Sequence, residues 1–123
     1  GDAEFSAASG GRIELSLVAG TERAGRPYWV GASFSGTTPG TVYNGLTIPL
    51  NWDFFSDYVI RNTNRAGFVD FRGSLDASGS AIAVIDTLGP ISSAYAGVTA
   101  WFAFALTDQW NFVSNAVAVQ ILP

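Results

Sequence analysis

The sequence predicts an all-β protein, a single antiparallel β-sandwich of about seven or eight strands, Ig-like or jelly-roll-like and without a long helix. Three observations predict it. Apolar and polar residues alternate over most of the chain, the period-2 mark of half-buried strands. Turn formers separate the alternating runs, with 14 Gly and 5 Pro among 123 residues. No long stretch carries the 3.6-residue period of an amphipathic helix. The length suits one domain, read as an N-terminal arm over residues 1–10 and the sandwich over residues 11–123.

The elements follow in order. The arm, GDAEFSAASG, is small and polar, with Phe5 as its apolar anchor. Ile13, Leu15, Leu17 and Ala19 share one face of a first strand and Glu14 and Ser16 the other. A loop bounded by Gly20 and Gly25 leads to a second strand, with Tyr28, Val30, Ala32 and Phe34 on one side. Residues 35–41 are rich in Gly, Pro and Thr and read as a turn. Leu46–Leu50 is short and extended, held to an edge by Pro49. Residues 51–64 are irregular, with Asn51 or Asp53 able to cap a helical turn through Tyr58. Residues 67–75 alternate again, placing Val69, Phe71 and Gly73 opposite Phe68, Asp70 and Arg72. Asp76–Ser80 reads as a hairpin-like turn, with Gly79 suited to positive φ. Strands follow over Ala81–Asp86, Val98–Leu106 and Ala116–Leu122, with a turn or short 3₁₀ segment at 91–96.

Composition excludes several chemistries. The chain has no His, Cys, Met or Lys. Without imidazole or thiol there is no Ser-His-Asp or Cys-His nucleophile system, no zinc finger and no haem ligation. No cofactor is expected, and an enzyme is disfavoured because no carboxylate pair has a defined acid–base geometry. Six Arg stand against ten acidic residues, a net charge of −4, so nucleic acid is not an expected partner. Val98–Leu106, the longest apolar run, is far short of the ~18 residues that span a bilayer. A chain without Met reads as a processed product, with Gly1 the mature start after removal of a secretion signal. A trimmed fragment of a larger protein is the alternative.

Several stretches together carry a family resemblance. They are LSLVAG (Leu15–Gly20), YWVGASFSGTTPG (Tyr28–Gly40), TIPLNWDFF (Thr47–Phe55), LDASGSAIAV (Leu75–Val84), AYAGVTAWFAFAL (Ala94–Leu106) and VSNAVAVQIL (Val113–Leu122). The chain from Gly11 to Pro123 resembles a C-terminal β-sandwich domain, of no established activity, found in secreted proteins of planctomycete-like bacteria. The resemblance implies export to the extracellular space or cell surface and a structural or surface role. It assigns no catalytic or binding residue.

Among the acidic residues, Asp53 and Asp57 are the candidates for a calcium site, since loop carboxylates and carbonyls can gather around that cation. Turn and cap roles are the plainer reading. Asp70 and Arg72 read as a cross-strand charge pair, and Arg61 and Arg65 as partners for Asp53 or Asp57. The aromatic residues are more informative. If Val98, Ala100, Phe102, Phe104 and Leu106 point inward, Trp101, Ala103 and Ala105 point outward, and Trp29 likewise leaves its strand on the outer side. A strand apolar on both faces is covered on both faces. The cover could be the arm, the 51–64 loop, a second subunit or a sugar ring.

Two functions are therefore expected, neither catalytic. The first is a self-assembling subunit of an extracellular filament or surface layer, pairing with copies of itself through arm exchange. Phe5, Ile13, Leu15, Trp29, Trp101, Ala103 and Ala105 are its interface candidates, and the lack of Lys leaves strand edges without a common guard. The second is a carbohydrate-binding or adhesion module that stacks polysaccharide on Trp29, Trp52, Trp101 or Trp110.

Overall fold

The computed structural model describes residues 3–123. Gly1 and Asp2, and with them the expected mature start, lie outside the described residues. Ten strands and one helix follow in the order β1 (Ala3–Ser6), β2 (Arg12–Val18), β3 (Pro27–Ser33), β4 (Thr41–Tyr43), β5 (Leu46–Ile48), α1 (Phe54–Arg61), β6 (Phe68–Val69), β7 (Arg72–Ser74), β8 (Ser80–Asp86), β9 (Thr99–Leu106) and β10 (Val117–Leu122). Short 3₁₀ turns occupy Thr21–Arg23 and Ser93–Tyr95. No helix among the described residues is long and apolar enough to cross a membrane.

The strands form a five-stranded sheet in the order β1-β10-β9-β3-β7, a three-stranded sheet β2-β8-β6 and a separate β4-β5 hairpin. The two larger sheets pack on one core. Tyr28, Val30 and Ala32 of β3, Phe102 and Phe104 of β9 and Val119 of β10 meet Leu15 and Leu17 of β2 and Ala83 and Ile85 of β8. These are the apolar positions of each alternating run, so the pattern that makes each strand also chooses its buried face.

Several features depart from the expected arrangement. Among the described residues ten strands form where about seven or eight were expected. The arm supplies one of the extra strands: β1 pairs with β10 of the same chain, from Ala3 beside Val119 to Ser6 beside Leu122. That pair is parallel, so the five-stranded sheet is not wholly antiparallel. Parallel neighbours need a long connection, and here nearly the whole chain lies between them.

The second departure is the 67–75 segment. It is not one alternating strand. Asp70 has φ 55°, which breaks the run and resets its parity. β6 pairs with β8 in one sheet and β7 with β3 in the other. Phe68 and Phe71 therefore both reach the core, with ring centroids 5.2 Å apart. The Tyr28 hydroxyl donates to the Asp70 carbonyl (2.7 Å), and the Val30 N–H donates to the Phe71 carbonyl (2.7 Å), holding the break in place. Third, the Asp76–Ser80 turn joins the two sheets rather than closing a hairpin within one. Asp76 Oδ1 accepts from the N–H groups of Ser78 and Ser80. Gly79 has φ 76°, and a Cβ there would meet the Gly20 carbonyl oxygen at 1.8 Å.

The irregular 51–64 segment contains α1, longer than the single turn expected. Asp53 is its N-cap, and Ser56 completes a reciprocal capping box. Asp53 does more than cap. Its Oδ1 accepts from Ser56 N–H, and its Oδ2 accepts from the N–H groups of Phe34 and Ser35 and the Ser35 hydroxyl. The Ser56 hydroxyl donates to the Ala32 carbonyl. One carboxylate thus ties the end of β3 to the start of α1.

Burial alone would raise the Asp53 pKa. The hydrogen bonds from Ser35, Ser56 and Phe34 outweigh it and bring the value from 3.8 down to about 2. The folded protein therefore holds this proton less tightly than the unfolded chain. The associated stability is complete above pH 3.8 and is lost as pH falls through about 2. Asp53→Ala is expected to cost about 2–4 kcal/mol in urea denaturation, combining the lost cap with stranded N–H groups at Phe34 and Ser35. Asp53→Asn is expected to flatten the acid limb of the stability curve, and an unchanged limb would remove Asp53 as its source.

Candidate functional site

The outer face of the five-stranded sheet is built from alternate residues of β3 and β9. The register sets Trp29 opposite Ala105, Gly31 opposite Ala103 and Ser33 opposite Trp101. Small residues in the middle make a flat floor. The chain from Thr41 to Arg61 folds back over that floor. Leu50, with no exposed surface, lies on Gly31, where an added Cβ would stand 3.3 Å from Leu50 Cδ1. Ala103 and Ala105 are buried as a result. The apolar outer face is covered by the chain itself, using the 51–64 segment together with the β4-β5 hairpin.

The cover is incomplete. A groove of about 480 Å³ remains, floored by Gly31, Ala103 and Ala105 and walled by Trp29, Tyr43, Trp52, Ile60 and Trp110. Three of the four Trp residues meet there. Trp29 donates through Nε1 to Thr63 Oγ1 (2.9 Å), and the Arg72 guanidinium lies 4.4 Å from its ring centre. Trp52 donates through Nε1 to Asp57 Oδ1 (2.9 Å). Tyr43 and Trp110 meet edge to face, with centroids 4.6 Å apart. Tyr43 and Trp52 remain 51% and 44% exposed, so their faces are available to a ligand.

Trp110 holds a φ of 52°, a conformation that costs a bulky residue about 1–3 kcal/mol. Its turn is braced from outside. Arg26 donates from Nε and Nη2 to the Asp108 carboxylate and from Nη2 to Asn111 Oδ1 (2.6 Å). Among the described residues, neither the Tyr43 hydroxyl nor the Trp110 indole N–H has a hydrogen-bond partner. The groove therefore offers flat apolar faces for stacking and two polar atoms free to bond a ligand.

The structure brings together Trp29, Ala103 and Ala105 of the expected interface set, with Trp52 and Trp110 of the expected aromatic platform. Trp101 is on the same face but outside the groove, between Ser33 and Ala118. Leu15 is buried and Ile13 half-buried on the inner face of β2, while Phe5 packs towards the core from β1. Leu15, Ala103 and Ala105 are thus largely buried in the single chain, with Ala103 and Ala105 at the floor of the groove. The calcium candidates Asp53 and Asp57 are engaged by the chain's own donors: Asp53 accepts through both oxygens, and Asp57 Oδ1 accepts from Trp52. No group of three metal-ligating side chains occurs among the described residues. Arg72 stacks on Trp29 instead of pairing with Asp70, because β7 places Arg72 directly opposite Trp29 while Asp70 sits in the break. Arg61 and Arg65 form no ion pair with Asp53 or Asp57.

Tyr43 and Ile60 are site residues that the strand pattern did not single out. Asn44-Gly45 is the signal for Tyr43: the dipeptide is a strong hairpin turn former, and both residues have positive φ here, 49° and 80°. Nothing local marks Ile60.

Leu50→Ala is expected to lower stability by about 2–4 kcal/mol in urea denaturation, as a buried leucine lost from a packed contact does. A change near zero would show that the segment is not seated on Gly31. Set against known protein families, curated proteins and solved structures, the chain matches none of them.

Proposed function

We propose that the protein is a non-catalytic, exported module that binds carbohydrate in the outer-face groove. One observation carries the reading: Trp29, Trp52, Trp110 and Tyr43 converge on a single groove with a floor of small residues. A pyranose ring has apolar C–H faces and a polar rim. Aromatic planes suit the faces, and the Tyr43 hydroxyl and the Trp110 N–H are hydrogen-bonding groups for the rim. The groove also suits the surface role that the sequence resemblance implies.

The test is retention on insoluble polysaccharides. Tyr43→Ala and Trp110→Ala together are expected to weaken retention at least tenfold while circular dichroism stays unchanged. Trp101→Phe, outside the groove, is expected to bind as the parent does. Equal retention by the double variant, or none by the parent on any polysaccharide, would sink this reading.

A second reading is the self-assembling subunit of a filament or surface layer. The open edges favour it. Among the described residues β2 offers seven residues with no hydrogen-bonded strand on one side, and β1 pairs with a strand on one side only. A β1 from a neighbouring copy would meet β10 through the same backbone bonds, and the chain has no Lys to guard those edges. The outer face is partly covered in the single chain, so this reading rests on the edges. Electron microscopy of concentrated protein is expected to show polymers under this reading, and a monodisperse monomer would overturn it.

A further inference from the structure

Helix α1 contributes to two cavities. Ile60 lines the outer groove, while Phe55 and Tyr58 line a second cavity of about 450 Å³. This second space lies between the two large sheets. Ala100, Phe102 and Val119 form its side on the five-stranded sheet, and Phe68 and Ile85 its side on the three-stranded sheet. These residues otherwise belong to the core. Protein interiors are close-packed, with few voids larger than a water molecule. An apolar opening of this size in a core is therefore a place for a guest.

The chemistry of the wall narrows the guest. Nearly every lining group is apolar or aromatic. Thr87 is committed within the chain: its hydroxyl accepts from Gly11 N–H and donates to the Gly89 carbonyl. Among the described lining residues Asp86 is the one with an ionic side chain, and its Oδ1 accepts from Leu88 N–H. No Arg lines the space to pair with an anion. The mouth differs from the interior. Phe54 is 68% exposed there, and the hydroxyls of Tyr58 and Tyr95 have no partner among the described residues.

We propose that this cleft holds the alkyl chain of a neutral-headed lipid, such as a fatty alcohol or an acylglycerol, with its head at Tyr58 and Tyr95. The volume is about three times that of the ~150 Å³ apolar cavity that holds one benzene, which is room for a chain and not only a ring. The mostly apolar wall gives a polar guest few groups to bond. Asp86 beside the cleft disfavours a fatty carboxylate, and the net charge of −4 acts in the same direction. The site is separate from the carbohydrate groove and stands without it.

The test is titration calorimetry of the whole chain with straight-chain alcohols from hexanol to dodecanol, and with dodecanoate as the anionic match. Affinity is expected to rise about fourfold per added methylene until the cleft is full. Dodecanoate at pH 8 is expected to bind at least tenfold more weakly than dodecanol. Ala100→Phe, which fills the floor, is expected to abolish binding. Ile91→Trp, which narrows the mouth from its loop, provides a second block should Ala100→Phe fail to fold. Chain-length-independent affinity, dodecanoate binding as tightly as dodecanol, or a folded Ile91→Trp protein that binds like the parent would each overturn the proposal. So would a stable dimer that excludes dodecanol, since the occupant would then be a second copy.

Discussion

The Asp53 carboxylate holds together the parts of the molecule that frame its two openings. It caps α1, and it takes the N–H groups of Phe34 and Ser35 where β3 ends. That bond set fixes the helix start to the sheet. Everything adjoining the helix inherits the position. Trp52, one residue before the cap, is held at the outer groove, and Phe54 and Phe55, just after it, are turned towards the cleft between the sheets. Asn51 extends the same anchorage: its side chain accepts from Gly40 N–H and donates to the Ser35 and Thr38 carbonyls. A segment with little regular structure is thus firmly placed by side-chain-to-backbone bonds, which take the role that ladder bonds play in a strand.

The groove results from a difference in side-chain size across one sheet face. Gly31, Ala103 and Ala105 leave room above the sheet, while Trp29 and Trp101 stand on the same face at either end. Leu50 fills part of that room and the β4-β5 hairpin closes one side. What remains has aromatic walls because the covering segment contributes Tyr43 and Trp52 and the turn after β9 contributes Trp110. The strain at Trp110 is sustained by the Arg26–Asp108–Asn111 network, in which Arg26 comes from a distant part of the chain. Such support is typical of a side chain whose direction matters.

Much of the fold was legible in the residue pattern. β2, β3, β8, β9 and β10 follow the period-2 runs, because each buries one face on a common core. The Asp53 cap was also legible, since an Asp before a short apolar segment is a local signal. The break at Asp70 was not. Alternation is unchanged when two short strands meet at a left-handed residue, and only pairing with β8 on one side and β3 on the other reveals it. The arm is similar. Four residues with one Phe carry too little pattern to announce a strand, and β1 exists because β10 presents an open edge to it.

For the candidate site, the residue types were visible but their meeting was not. Trp29, Trp52 and Trp110 are plain in the sequence, as are the Ala and Gly positions of a strand apolar on both faces. The sequence by itself determined that the protein is strand-rich, has no His, Cys, Met or Lys, and carries strands apolar on both faces. Only the tertiary structure decided what covers the outer face and where the openings are. Periodicity reports which residues share a face of one strand, a local property of the backbone. Which distant segment lies across that face depends on long-range packing and on single anchoring bonds such as those of Asp53, and these leave no periodic trace.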